Sequence, residues 1–122
     1  MKIIVIGMNP SHSNAKSRVR KNSTLDRLGG WMTSLNVDTF SFMNTFHVPS
    51  YNPKLSDVDF KTLELAREYP KVLALGAFVS AALSKANISH FCLSHPSPRN
   101  RKLNDPKFEK VMLKQCYNYL YT

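Results

Sequence analysis

The chain has 122 residues, of which 43% are hydrophobic and 20% charged, a composition that excludes a disordered or collagen-like protein and predicts one globular domain over 1–122. No apolar run reaches the roughly 18 residues of a membrane span, and the first residues contain no signal peptide, so we expect a soluble cytoplasmic protein. Seventeen Lys and Arg against eight Asp and Glu give a net charge of +9, which favours a polyanionic partner such as nucleic acid over charge carried for solubility alone.

The first part of the chain predicts two strands separated by a loop and a helix. Within residues 2–6, Lys2 is followed by four apolar β-branched residues that Gly7 ends, which is typical of a strand buried on both faces of a parallel sheet. After a polar, basic loop over 11–23, a capping-box-like pattern predicts a helix of about three turns. Its apolar positions recur at helical spacing: Leu25, Leu28, Met32 and Leu35. A short strand over 39–43 follows, with Asn44 at its carboxyl end.

The remaining sequence predicts three helices and two strands. The segment 56–59 caps a second helix that continues to about Glu68, and 71–75 is a strand that Gly76 ends. A small-residue helix over 77–85 and a fourth strand over 90–93 come next. The last helix begins at the N-cap Asp105 with Pro106 in its first turn. The cysteines, Cys92 and Cys116, fall in the last strand and the last helix, and two thiols form neither a disulfide framework nor a metal cage.

Strands that alternate with helices predict a three-layer α/β/α sandwich with a four-stranded parallel sheet. In such sheets, ligands bind beyond the carboxyl ends of the strands. Polar clusters follow the first, second and fourth strands at 7–11, 44–45 and 95–100, so we expect them to converge in space. Taken singly, each cluster also has a simpler interpretation, as a turn or as a satisfied local hydrogen bond.

Two of these clusters resemble the signature motifs of a known enzyme family. The segments Gly7-Met8-Asn9-Pro10 and His95-Pro96-Ser97-Pro98-Arg99-Asn100 are similar to those of the uracil-DNA glycosylase superfamily. The closest resemblance is to its single-strand-selective monofunctional and mismatch-specific members. With Asn44 between the two motifs, the resemblance extends over essentially the whole chain. It implies a uracil-DNA glycosylase-like fold and hydrolysis of the N-glycosidic bond of uracil, or a 5-modified uracil, in a flipped-out nucleotide.

The resemblance implies a role for each candidate residue of the base pocket. Asn9 would orient the attacking water, His95 would donate a hydrogen bond to the leaving pyrimidine, and Asn44 would pair with O4 and N3–H of uracil. The other implied substrate-binding residues are Gly7, Met8, Pro10, Ser11 and Phe46, although Phe46 fits a core position equally well. The most active members have an acid in the first motif, and no acidic residue precedes Asp26 here, so the resemblance implies slower turnover.

Basic segments provide candidate DNA contacts. The implied DNA-binding residues are Lys16, Arg18, Arg20 and Lys21 in the first loop, and Ser97, Arg99, Asn100, Arg101 and Lys102 after the second strand-end motif. Arg99 is the candidate wedge that fills the space of the flipped base; a solvated basic turn is the alternative. The motifs contain no lysine for a Schiff base, which predicts a monofunctional enzyme, and neither a metal nor another cofactor is expected.

The expected partner is single- or double-stranded DNA, and we expect a monomer. One alternative is a catalytically weak or inactive nucleic-acid-binding protein of the same fold. A small nucleotide-binding domain is disfavoured, because no phosphate-cradling glycine-rich loop follows any strand.

Overall fold

A computed structural model describes residues 2–8, 23–45, 54–97 and 100–122 of the chain. Within these ranges, one sheet contains four parallel strands in the order β2-β1-β3-β4. The strands are β1 (Ile3–Gly7), β2 (Ser41–Asn44), β3 (Lys71–Leu75) and β4 (Phe91–Leu93). Gly7 pairs with Asn44 and Leu75 pairs with Leu93, so the carboxyl ends of all four strands lie together at one end of the sheet.

Helical segments connect the strands. The α-helices of the described ranges are α1 (Ser23–Ser34), α2 (Phe60–Leu63), α3 (Ala77–Lys85) and α4 (Pro106–Leu120). Three short 3₁₀ segments accompany them, at Leu55–Asp57, Glu64–Glu68 and Arg101–Asn104. None of these helices is long and apolar enough to cross a membrane.

The sheet separates two apolar cores. Val5 and Leu73 point to the face where α1 and α4 supply most of the packing, whereas Ile6 and Ala74 point to the face covered by α2 and α3. Alternate side chains of β1 and β3 therefore enter opposite cores, as the period of a strand requires. The predicted α/β class with a four-stranded parallel sheet is confirmed, and helices on both faces are compatible with a three-layer sandwich.

The second helix is capped within the predicted segment 56–59, but it is not α-helical as far as Glu68. Asp59, the last residue of that segment, is the N-cap of α2, and its carboxylate accepts a hydrogen bond from the Thr62 N–H at 3.1 Å. After one turn the chain tightens into a 3₁₀ segment. Leu63 and Ala66 are both fully buried and three residues apart, the spacing at which side chains align along a 3₁₀ helix. The 3₁₀ segment thus keeps Ala66 on the buried side of the chain, next to Leu63 at the end of α2.

Other boundaries differ by one or two residues from the sequence prediction. The second strand begins at Ser41 and the fourth at Phe91. Leu25 in the first turn of α1 remains 48% exposed, although the other three apolar positions of that helix are buried. Trp31, expected to be a packing residue, is 2% exposed, and its indole N–H donates to Glu109 Oε1 at 2.9 Å, which joins α1 to α4.

Candidate functional site

The strand order creates a switch point between the two central strands. The chain passes from β1 outward to β2 and then returns to β3 on the other side of β1. Open parallel sheets bind ligands where the strand order reverses in this way. Gly7 is the last residue of β1 and Gly76 directly follows β3, so both central strands end at a residue without a side chain. Asn44 is the last residue of the flanking strand β2, and His95 lies two residues beyond the end of the other flanking strand, β4.

Asn44 lies directly over the end of β1. A Cβ at Gly7 would lie only 3.0 Å from Asn44 Oδ1, so the absence of a side chain at Gly7 makes room for the amide. The same Oδ1 is buried and has no hydrogen-bond partner among the described residues. Leaving a buried acceptor unpaired costs about 1–3 kcal/mol, which a ligand that donates an N–H would recover. Asn44 therefore offers an unused acceptor at the switch point.

Thr45 anchors the chain where it leaves β1. Its N–H donates to Gly7 O at 2.9 Å, and its hydroxyl donates to Met8 O at 3.0 Å. Thr45 is only 2% exposed, so these bonds are protected from water. They fix the peptide that precedes Asn9. The sequence marks Thr45 only by its position next to Asn44 at a strand end.

The His95 ring is held in one tautomer. The Ser97 N–H donates to His95 Nδ1 at 3.1 Å, so Nδ1 carries a lone pair and the proton of the neutral ring is on Nε2. Burial lowers the pKa of His95 below its ordinary value of 6.5, which keeps the ring neutral at pH 7. Protonation at Nδ1 would also break the bond from Ser97. His95 thus presents Nε2–H as a donor.

Gly76 provides the surface against which this ring packs. A Cβ at Gly76 would lie 3.6 Å from His95 Cβ and 3.8 Å from His95 Cδ2. Gly76 has a φ of 94°, a left-handed conformation that glycine adopts without strain, and it is also the N-cap of α3. The positive end of the α3 dipole lies beside the ring and disfavours a second positive charge there. The neutral form of His95 therefore suits its surroundings.

Asn100 holds the loop that carries His95. Its Nδ2 donates both to Ser94 Oγ and, at 2.9 Å, to His95 O, while its Oδ1 accepts from the Lys102 N–H at 3.2 Å. The Asn100 side chain is thus occupied by groups of its own loop. The DNA contact that the resemblance implies for Asn100 remains a prediction. The geometry adds a positioning role, which the preference of Asn for capping short helical turns could have suggested.

An open cleft of about 540 Å³ begins at His95 and runs between β4 and α4. Gly76 lines one end of the cleft, but Asn44 and Gly7 do not line it. This cleft is therefore distinct from the region around Asn44 and Gly7. Hydrogen bonding and burial at the switch point, rather than cavity volume, identify the candidate base site.

The structure describes some of the predicted site residues but not others. It places Asn44 over Gly7 and His95 against Gly76, and it describes Met8 and Ser97 at the starts of the two loops. Arg101 and Lys102 are exposed in the 3₁₀ segment that precedes α4. The predicted residues outside the described ranges are Asn9, Pro10, Ser11, Lys16, Arg18, Arg20, Lys21, Phe46 and Arg99. Their roles stay predictions.

Comparisons with protein-family models, with curated proteins and with solved structures gave no significant match. Functional assignment therefore depends on the chemistry of the motifs and on the geometry of the described residues.

Proposed function

We propose that this protein is a monofunctional DNA glycosylase that hydrolyses the N-glycosidic bond of uracil or a 5-modified uracil in a flipped-out nucleotide. The proposal includes a uracil-DNA glycosylase-like three-layer fold. The observation that carries it is the hydrogen bond from the Ser97 N–H to His95 Nδ1, which leaves a neutral ring with Nε2–H as a donor at the edge of the sheet.

A neutral donor fits the charge that develops during the reaction. As the bond between C1′ and the base nitrogen breaks, the sugar gains positive charge and the pyrimidine gains negative charge on its carbonyl oxygens. The Nε2–H of His95 stabilises one of these oxygens by a hydrogen bond, and one well-placed donor lowers the barrier by about 3–4 kcal/mol. Water adds to C1′, with Asn9 as its proposed orienting residue, and loses a proton to solvent. The departing base anion takes up a proton from solvent, so the products are the free base and an abasic sugar.

Asn44 provides the proposed base selectivity. Its buried Oδ1 has no partner among the described residues and would accept a hydrogen bond from N3–H of uracil. Cytosine has no hydrogen on N3 and would leave this acceptor unpaired. Because an unpaired buried acceptor is costly, the site would reject cytosine.

Replacing the proposed catalytic side chains tests the function. We expect His95→Ala and Asn9→Ala each to lower excision by about 100-fold or more, because each removes a group that acts on the transition state. DNA affinity should stay nearly unchanged. The measurement is the yield of alkali-labile breaks in single-stranded and duplex oligonucleotides that contain uracil.

His90→Ala is a matched control for the loss of an imidazole. His90 lies just before β4, where its ring contacts Ser80 Oγ at 2.7 Å and Ile88 O at 2.8 Å, and it does not line the cleft. This variant should retain excision once its folding has been verified by circular dichroism. Wild-type excision by both His95→Ala and Asn9→Ala would disprove the assigned roles. Binding of DNA by the wild type without any strand scission would favour the non-catalytic alternative.

A further inference from the structure

The cleft between β4 and α4 has an apolar wall that the proposed reaction does not use. β4 is an edge strand, and Phe91 lines the cleft from its side. The Cys92 side chain alternates to the other face of β4, where its thiol lies 3.6 Å from the backbone O of Gly76, another lining residue. Phe108, Val111 and Met112 line it from α4. Val111 is 55% exposed, so a large apolar side chain of this wall faces solvent.

Cationic side chains border this wall. Lys102 lines the cleft, and its Nζ lies 6.0 Å from the centre of the Phe108 ring. Lys107 and Lys114 are both exposed and lie four residues before and three residues after Val111, so they flank it on the same side of α4. The described residues that line the cleft include no carboxylate.

Glu109, the acidic residue of α4, makes its contacts with α1. Glu109 Oε1 accepts from the Trp31 indole at 2.9 Å, and Glu109 Oε2 lies 3.6 Å from Arg27 Nη1. Both partners belong to α1 on the core side of α4. The charge of Glu109 is therefore offset within the fold. The exposed N-cap Asp105 is the other acidic residue at this end of α4, and Lys102, Lys107 and Lys114 outnumber it, so the surroundings of the cleft are complementary to a polyanion.

We propose that this cleft is a subsite for the stretch of polynucleotide strand that flanks the target nucleotide. Aromatic and apolar walls with a cationic border are the usual means of holding a single strand, by base stacking and by phosphate contacts. An acidic peptide would match the same charge. Continuity with His95 favours the polynucleotide, because His95 itself lines the cleft and a strand whose base reaches His95 therefore lies next to it. The inference rests on the proposed function and extends it.

Cys92 makes the subsite directly measurable. It is exposed and lines the cleft, whereas Cys116 is buried and its pKa is raised to about 12 by desolvation. Alkylation by N-ethylmaleimide, an uncharged reagent, therefore reports on Cys92 in the folded protein. The probe is an oligodeoxycytidylate of about 12 nucleotides, because the proposed base site would reject cytosine. At a concentration about ten times its Kd, measured by fluorescence anisotropy, mass action predicts about tenfold slower alkylation.

Two lysines of the chain provide a matched pair of variants. Lys102 lies over Phe108 at the cleft, and Lys85 lies in the same way over Phe60, 5.6 Å from the ring centre, on the opposite face of the sheet. Both lysines are exposed, so Lys102→Glu and Lys85→Glu make the same charge change. We expect Lys102→Glu to abolish protection at an oligonucleotide concentration that still protects Lys85→Glu.

Several results would overturn the subsite. One is unchanged Cys92 alkylation in the presence of the oligonucleotide, whether or not anisotropy detects binding. Another is equal protection by an acidic peptide of glutamate residues at the same concentration, and a third is equal loss of protection in both lysine variants. Uracil excision without protection of Cys92 would overturn the subsite and leave the proposed function standing. Protection without excision would support the subsite and count against the proposed function.

Discussion

At the scale of single residues, hydrogen bonds decide which chemical form each side chain of the candidate site takes. His95 is neutral with its proton on Nε2 because the Ser97 N–H occupies Nδ1 and because the ring is partly buried. Asn100 holds its loop in place because its side-chain amide forms hydrogen bonds to backbone groups of that loop. The resemblance predicted that His95 matters, but its tautomer depends on where a backbone N–H two residues later points.

The lowered pKa of His95 predicts how stability depends on pH. In the unfolded chain the ring titrates near 6.5, and in the folded protein it titrates lower, so below pH 6.5 the unfolded state binds more protons. The part of the free energy of unfolding that depends on a neutral His95 is fully present above pH 6.5, and it is lost as the pH falls toward the pKa of His95 in the folded protein. We expect the urea midpoint of the wild type to fall more between pH 7.5 and pH 5.5 than that of His95→Gln. Parallel pH profiles for the two proteins would contradict the prediction.

At the scale of elements, side-chain caps locate the helix starts. Asp105 is the N-cap of α4, as the sequence predicts, and its carboxylate accepts from the Lys107 N–H at 3.0 Å. Asp59 plays the same part for α2 and additionally accepts from the Thr62 hydroxyl at 2.7 Å. Asp57 lies at the end of the preceding 3₁₀ segment and is not the cap of α2. Both aspartates are candidate N-caps in the sequence, and only the backbone conformation of the folded chain shows that Asp59 is the cap.

This distinction predicts unequal effects of two similar substitutions. Asp59→Ala removes the cap of α2 and should lower the free energy of unfolding by about 1 kcal/mol. Asp57→Ala removes an exposed carboxylate and should change it by less than about 0.5 kcal/mol. Urea denaturation of both variants at neutral pH provides the measurement. Equal losses would show that the cap assignment is wrong.

At the scale of the whole molecule, one sheet couples the two cores. Val5 enters the core beneath α1 and α4, and its neighbour Ile6 enters the core beneath α2 and α3, so loss of β1 disrupts both. Domains of this size usually unfold in one cooperative transition. Cys116 is fully buried in the core beneath α1 and α4, so it should become accessible to solvent only when the whole protein unfolds.

Thiol labelling can test this cooperativity. In native buffer we expect Cys92 to react rapidly with a thiol reagent and Cys116 to react slowly, because Cys116 is buried and burial raises its pKa to about 12. With added urea, the labelling of Cys116 should follow the unfolding transition measured by Trp31 fluorescence. Labelling of Cys116 at urea concentrations well below that transition would reveal separate opening of α4 and contradict the prediction.

The sequence by itself determined the alternation of strands and helices, the buried strands β1 and β3, the start of α4 and the polar clusters at strand ends. These features follow from local periodicity, caps and glycines, which depend on residues close together in the chain. Tertiary structure alone decided the strand order, the placement of Asn44 over Gly7, the packing of His95 against Gly76 and the cleft beside α4. These contacts join residues far apart in the chain, and the burial that determines them exists only once the sheet has formed.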